Sequence, residues 1–141
     1  MLYKSTRGGS SSIPFSEILL GGLAPDGGLF IPEKFPKFSK EEIEAMQSLN
    51  YIELTNKLLY PYVEEEINED DFFYLVENSY SIFKNPEVVN LHHLSDKKWV
   101  LELFHGPTLA FKDIAMQLLG SLLDYFAKLK NERLAVLGAT S

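Results

Sequence analysis

Among its 141 residues the sequence has no cysteine. That excludes a disulfide framework, a thiolate metal site and a cysteine nucleophile. Positive charge is scarce as well: 13 Lys and Arg stand against 20 Asp and Glu, for a net charge of −7. A nucleic-acid binder needs a basic footprint to displace counterions, so that class is excluded, and docking on anionic membranes gains no support. Apolar runs fall short of the roughly 20 residues that span a bilayer, and the opening MLYKSTRGGSSS lacks the apolar stretch of a signal peptide. Together these absences predict a soluble, cytoplasmic protein.

What is present suits a folded chain. A hydrophobic content of 45% is enough to bury a core and excludes a disordered segment. The length fits one ordinary domain or part of a larger protein. The fold class read from the pattern is α/β in two regions, a mainly helical domain over residues 1–85 and the incomplete start of a parallel-sheet domain over residues 86–141.

The first region is built of helices and Gly/Pro joints. SSIPFSEILLGGL predicts a short helix with Ser12 near its N-cap and an end at Gly21-Gly22. The Pro25-Asp26-Gly27-Gly28 run is turn chemistry, followed by an extended piece from Leu29 to Ile31. Ser39 and Glu42 form a capping box ahead of EEIEAM. Ile52, Thr55, Leu58, Leu59 and Tyr62 share one helical stripe that Pro61 ends or kinks. Asn68 caps a further helix, with acids in its first turn where the dipole favours them and Phe72, Leu75, Val76, Ser79 and Tyr80 on its core face.

Past Asn85-Pro86 the character changes. EVVNL and WVLELF read as strands, the second apolar enough to be covered on both faces. A long amphipathic helix from Leu109 to Leu129 and a further strand, RLAVLG, complete a right-handed βαβ unit of a parallel sheet. Two strands and one helix cannot cover such a sheet, so the sequence predicts the front part of a longer α/β protein.

Chemistry concentrates at Lys112. Ligands of open α/β sheets lie beyond the carboxyl ends of the strands, and Lys112 follows such an end. Gly106-Pro107 makes the turn, Thr108 is the expected N-cap, and Lys112 falls at the positive end of the helix among apolar neighbours. Both surroundings favour the uncharged amine, the form that condenses with a carbonyl. The alternative is a lysine that reaches solvent while Phe111 alone packs. Asp113 reads as a partner of the helix dipole rather than an acid catalyst. His105 either touches substrate or satisfies a backbone carbonyl. Ser5, Thr6 and Arg7 form either an anion-friendly cluster or part of an exposed terminal strand. The adjacent His92 and His93 point to opposite strand faces and do not chelate one metal ion.

ELFHGPTLAFKDIAMQLLG, residues 102–120, resembles the cofactor-lysine segment of threonine synthases, pyridoxal-phosphate enzymes of the tryptophan-synthase β-like fold. YKSTRGG (residues 3–9) and GLAPDGGLFIPE (residues 22–33) resemble the same family in the same order, and the terminal LGATS resembles the start of its ATSGDTG loop. The resemblance implies that Lys112 carries pyridoxal 5'-phosphate, that Phe111 braces it, and that Thr140 and Ser141 help cradle the substrate; Arg7 and His105 remain candidate substrate contacts on the residue reading above. It implies a lyase that turns O-phosphohomoserine and water into threonine and phosphate, with the remaining cofactor contacts beyond Ser141 and the 141-residue piece inactive by itself. A related phospho-lyase and a non-catalytic interaction module are the competing readings.

Overall fold

The computed structural model describes residues 1–9 and 11–138. Alternation of side chains at the start of the chain builds the first sheet. Strand β1 (Leu2–Ser5) buries Tyr3 and Ser5 and turns Leu2 and Lys4 outward, the period of two of a half-covered strand. It lies between β2 (Ile13–Pro14) and β3 (Phe30–Pro32), antiparallel to both, with Tyr3 opposite Ile13 and Pro32. The start of the chain is therefore a central strand, not an exposed one. Pro14 and Pro32 occupy the edge strands, where a missing N–H is tolerated. Because the sheet takes Ile13 and Pro14, helix α1 (Phe15–Gly21) has Pro14 rather than Ser12 at its N-cap position, without a side-chain cap. It ends where the sequence predicts, at Gly22 with φ 74°.

Local capping sets the next helices. In α2 (Lys40–Met46) the Glu42 N–H donates to Ser39 Oγ at 3.2 Å while Glu42 Oε2 accepts from the Ser39 N–H at 2.7 Å. Asn50 and Glu53 repeat the device at α3 (Tyr51–Leu59), and Pro61 converts its end into a 3-10 turn, Tyr60–Tyr62. On the α3 stripe Thr55 is buried and Ile52 and Tyr62 are half-buried, but Leu58 and Leu59 remain exposed. Asn68 caps α4 (Glu69–Ser81) as expected, and Phe72, Val76, Ser79 and Tyr80 are buried on its inner face.

The core forms where α4 meets α5 (Asp113–Leu129). Leu118, Leu122 and Phe126 join Phe72, Val76, Tyr80, Phe83 and Val88 in one cluster, so packing crosses from residues 1–85 into 86–141. Polar groups at this seam are paired. Ser79 Oγ and Ser121 Oγ lie 2.7 Å apart, and the Tyr80 hydroxyl donates to the Ile114 carbonyl at 3.0 Å. Burial raises the Tyr80 phenol above its ordinary pKa, with Tyr51 adding to the shift.

The strands after Pro86 depart from the expected βαβ unit. Strands β4 (Asn90–Ser95) and β5 (Lys98–Glu102) pair antiparallel as a hairpin, with Asn90 opposite Glu102 and His93 opposite Trp99. Asp96, at φ 45°, makes the tight connection. A link this short joins antiparallel neighbours; parallel strands need a crossover of a dozen residues or more. Glu87 to Val89 form turns instead of strand. Trp99, Val100 and Leu101 are exposed rather than covered on both faces. Among the described residues no parallel strand pair forms, and RLAVLG (residues 133–138) forms no strand, with Val136 and Leu137 in solvent.

Candidate active site

Three local features place Lys112. Gly106 and Pro107 turn the chain after β5, Leu109 adopts φ 62°, and α5 begins at Asp113, so that Lys112 takes the N-cap position. The helix starts later than the expected Leu109 because a left-handed leucine interrupts it, at a cost of about 1–2 kcal/mol for an L-residue. Thr108 is consequently not the N-cap. Its backbone N–H donates to Asp113 Oδ2 at 2.8 Å and its hydroxyl to Asp113 Oδ1 at 2.7 Å. Asp113 is buried, and a side chain at Gly106 would collide with it, which explains the glycine. Burial alone would raise the Asp113 carboxyl; the hydrogen bonds from Thr108 and the Ala110 backbone outweigh it and hold the group below the ordinary carboxylate range.

Lys112 is exposed, and its amine makes no hydrogen bond or ion pair among the described residues. It lines a cavity of about 530 Å³ whose walls include Tyr51 from α3, Leu101 from β5, Leu103 just after it, and Ile114 and Met116 from α5. Phe111 lines the same cavity while its ring stays 65% exposed. A larger apolar cavity of about 600 Å³, lined by residues such as Leu58 and Leu59, contains no amine and no charged side chain.

The other expected site residues are placed differently. His105 Nε2 lies 2.9 Å from Glu102 Oε2, and its carbonyl accepts from the Lys84 N–H at 3.2 Å. The hydrogen bond from His105, opposed by burial and helped by Asn90, holds the Glu102 carboxyl below its ordinary range. Arg7 belongs to another cluster: its Nη1 donates to the Asp26 carbonyl at 2.9 Å. Asp26 also accepts from Ser5 Oγ at 2.7 Å and from the Gly9 and Gly28 N–H groups at 2.8 and 2.9 Å, so its carboxylate is the anion that this cluster holds. Ser5 comes first among the bonds that keep Asp26 below the carboxylate range. Thr140 and Ser141 lie outside the described residues. His93 Nε2 contacts the Asp96 carbonyl at 2.9 Å, and its ring sits 4.5 Å from Trp99.

Sequence reasoning missed Tyr51 as a wall of the cavity and Asp113 as the acceptor of a backbone latch. Nothing in a single chain announces the first. The second had a signal in GPT followed by an aspartate after the lysine.

Comparison with known proteins gives this site its setting. Enzymes of one class share the α/β fold: the PLP-bound threonine synthase from Brucella melitensis matches with a TM-score of 0.92 and 44% identity over 94% of this chain and 29% of that one. The yeast threonine synthase matches with a TM-score of 0.87 and 40% identity over 92% of this chain and 27% of its own. The family model for the threonine synthase N terminus matches residues 2–80, and the threonine synthase of Pseudomonas aeruginosa is 48% identical over 141 residues. The chain belongs to the threonine synthase family. It covers 30% of the length of that Pseudomonas relative.

Proposed function

We propose that this chain carries the cofactor-holding lysine of a threonine synthase. That enzyme is a pyridoxal-phosphate-dependent carbon–oxygen lyase acting on phosphates, which converts O-phospho-L-homoserine and water to L-threonine and phosphate. When bound, the cofactor supplies an electron sink for charge developing on the substrate's carbons. Lys112 Nζ would hold it. A primary amine with no hydrogen bond or ion pair among the described residues, opening on a cavity of about 530 Å³, fits an aldehyde-bearing ligand, and this is the observation that carries the reading.

The residues around Lys112 have definable tasks. Leu101, Leu103 and Met116 give the amine an apolar wall on which a ligand can seat, and Phe111 lines the same cavity. Lys112 Nζ takes and returns protons at the substrate's α and β carbons. Residues 86–141 as the opening of a parallel-sheet domain, a separate helical domain over residues 1–85, and a cytoplasmic setting belong to the same proposal. The uncovered apolar residues Trp99, Leu101, Val136 and Leu137 support the first of these, because such side chains call for cover.

The test uses the whole protein. Purified with pyridoxal phosphate, it should be yellow and release phosphate from O-phosphohomoserine, and borohydride should fix one cofactor equivalent on Lys112. A colourless protein with no adduct at Lys112 would overturn the proposal. The 141-residue chain alone is expected to show no turnover.

A further inference from the structure

Between Gly106 and Asp113 the backbone is held more tightly than a loop needs for connection alone. Both Thr108 donors end on the two oxygens of a single buried carboxylate, at 2.8 and 2.7 Å. The Leu109 N–H donates to the Gly106 carbonyl at 3.2 Å, and the Asp113 N–H to the Ala110 carbonyl at 3.0 Å. Leu109 sits at φ 62°, a conformation that survives only when its surroundings over-determine it. All of these constraints close on the few residues that lead into Lys112, whose own amine makes no hydrogen bond or ion pair among the described residues.

We infer that Asp113 is a positioning residue: through its two hydrogen bonds to Thr108 it fixes the backbone from which Lys112 presents its amine to an aldehyde ligand. This rests on Lys112 being the lysine that holds the cofactor. Condensation joins Nζ to the aldehyde carbon and releases the oxygen as water, so its rate depends on where the amine points. A misplacement of about 1 Å costs such a step up to a hundredfold. Asp113 donates no proton here. It acts through Thr108 and the backbone.

The experiment compares Asp113→Asn, Thr108→Val and Thr108→Ser in the whole protein. Each apoprotein is mixed with pyridoxal phosphate, and adduct formation at Lys112 is followed by absorbance and borohydride trapping. Asp113→Asn and Thr108→Val should slow the adduct by about tenfold to a hundredfold with circular dichroism unchanged, and Thr108→Ser should restore the parent rate. In the loaded enzymes kcat should fall while KM for O-phosphohomoserine stays within about twofold. Reductive methylation of Lys112 by formaldehyde, which needs no oriented ligand, should proceed at the parent rate throughout.

Parent-like adduct formation in both weakened variants would overturn the inference and leave the reading of Lys112 intact. Methylation falling in step with adduct formation would overturn it too, since the amine would merely be hidden. A parent protein that forms no adduct would remove the underlying reading itself. If Asp113→Asn does not fold, the exposed Thr108, valine against serine, decides the question alone.

Discussion

The α4–α5 core and the β4–β5 hairpin use similar apolar side chains and reach opposite outcomes. Phe72 and Val76 are 1% and 0% exposed, whereas Trp99 and Leu101 are 56% and 54% exposed. The difference lies in partners rather than in composition. An apolar helix face finds α5 within this chain, while in the hairpin Leu101 borders the open cavity beside α5 and Trp99 lies against His93, and both stay exposed. Lys112 sits at the boundary, at the N-cap of the packed helix and in the same cavity wall as Leu101 of the exposed strand. The difference teaches that burial here tracks available partners.

The sharpest way to break this contrast is Lys112→Ala. It should abolish colour and lower phosphate release by about a thousandfold or more in the whole protein, yet leave folding stability within about 0.5 kcal/mol because the side chain is exposed. Phosphate assays and thermal melts on the same samples test both halves. Next in size, Phe72→Ala should cost about 3–5 kcal/mol by opening the core, as urea unfolding would show. Asn50→Ala and Ser39→Ala should each cost about 1 kcal/mol by removing a cap. Trp99→Ala in the 141-residue chain should cost less than either cap, about 0.5 kcal/mol at most. A Trp99 loss as large as that of Phe72 would mean that the hairpin is covered after all.

Stability should also fall at both ends of the pH scale. The Asp26, Glu102 and Asp113 carboxyls are held below their ordinary values, so they add stability above pH of about 4, and that contribution disappears as acid protonates them in the folded state. Tyr3, raised to about 12 chiefly by burial, acts in the opposite sense. Its contribution is complete below pH of about 10 and fades as pH rises toward its folded value. Denaturant midpoints measured across pH would show a plateau bounded by these two declines, and an acid limb that survives Asp26→Asn and Glu102→Gln unchanged would remove those carboxyls as its cause.

Legibility followed range. The Ser39–Glu42 box, the Asn68 cap, the α4 stripe and the Gly22 stop were readable because each depends on residues within a turn or two of one another. The hairpin was misread because continuous apolar character does not distinguish a doubly covered strand from one still waiting for its cover; the short Asp96-Lys97 link was the better guide. Arg7 read either as ready for an outside anion or as part of an exposed strand; the fold instead sets its Nη1 on the Asp26 backbone carbonyl.

The residue order alone was enough for the starts of α2 and α4, the stop of α1, the apolar face of α4, and a lysine following a Gly-Pro turn, because backbone hydrogen bonding and side-chain periodicity are local properties. Only the tertiary structure decided that Tyr3 and Ser5 lie in a central strand, that Asp26 occupies the basic cluster, and that Asp113 closes on Thr108 ahead of Lys112. Those outcomes depend on which donors and acceptors are left unpaired once the helices have packed.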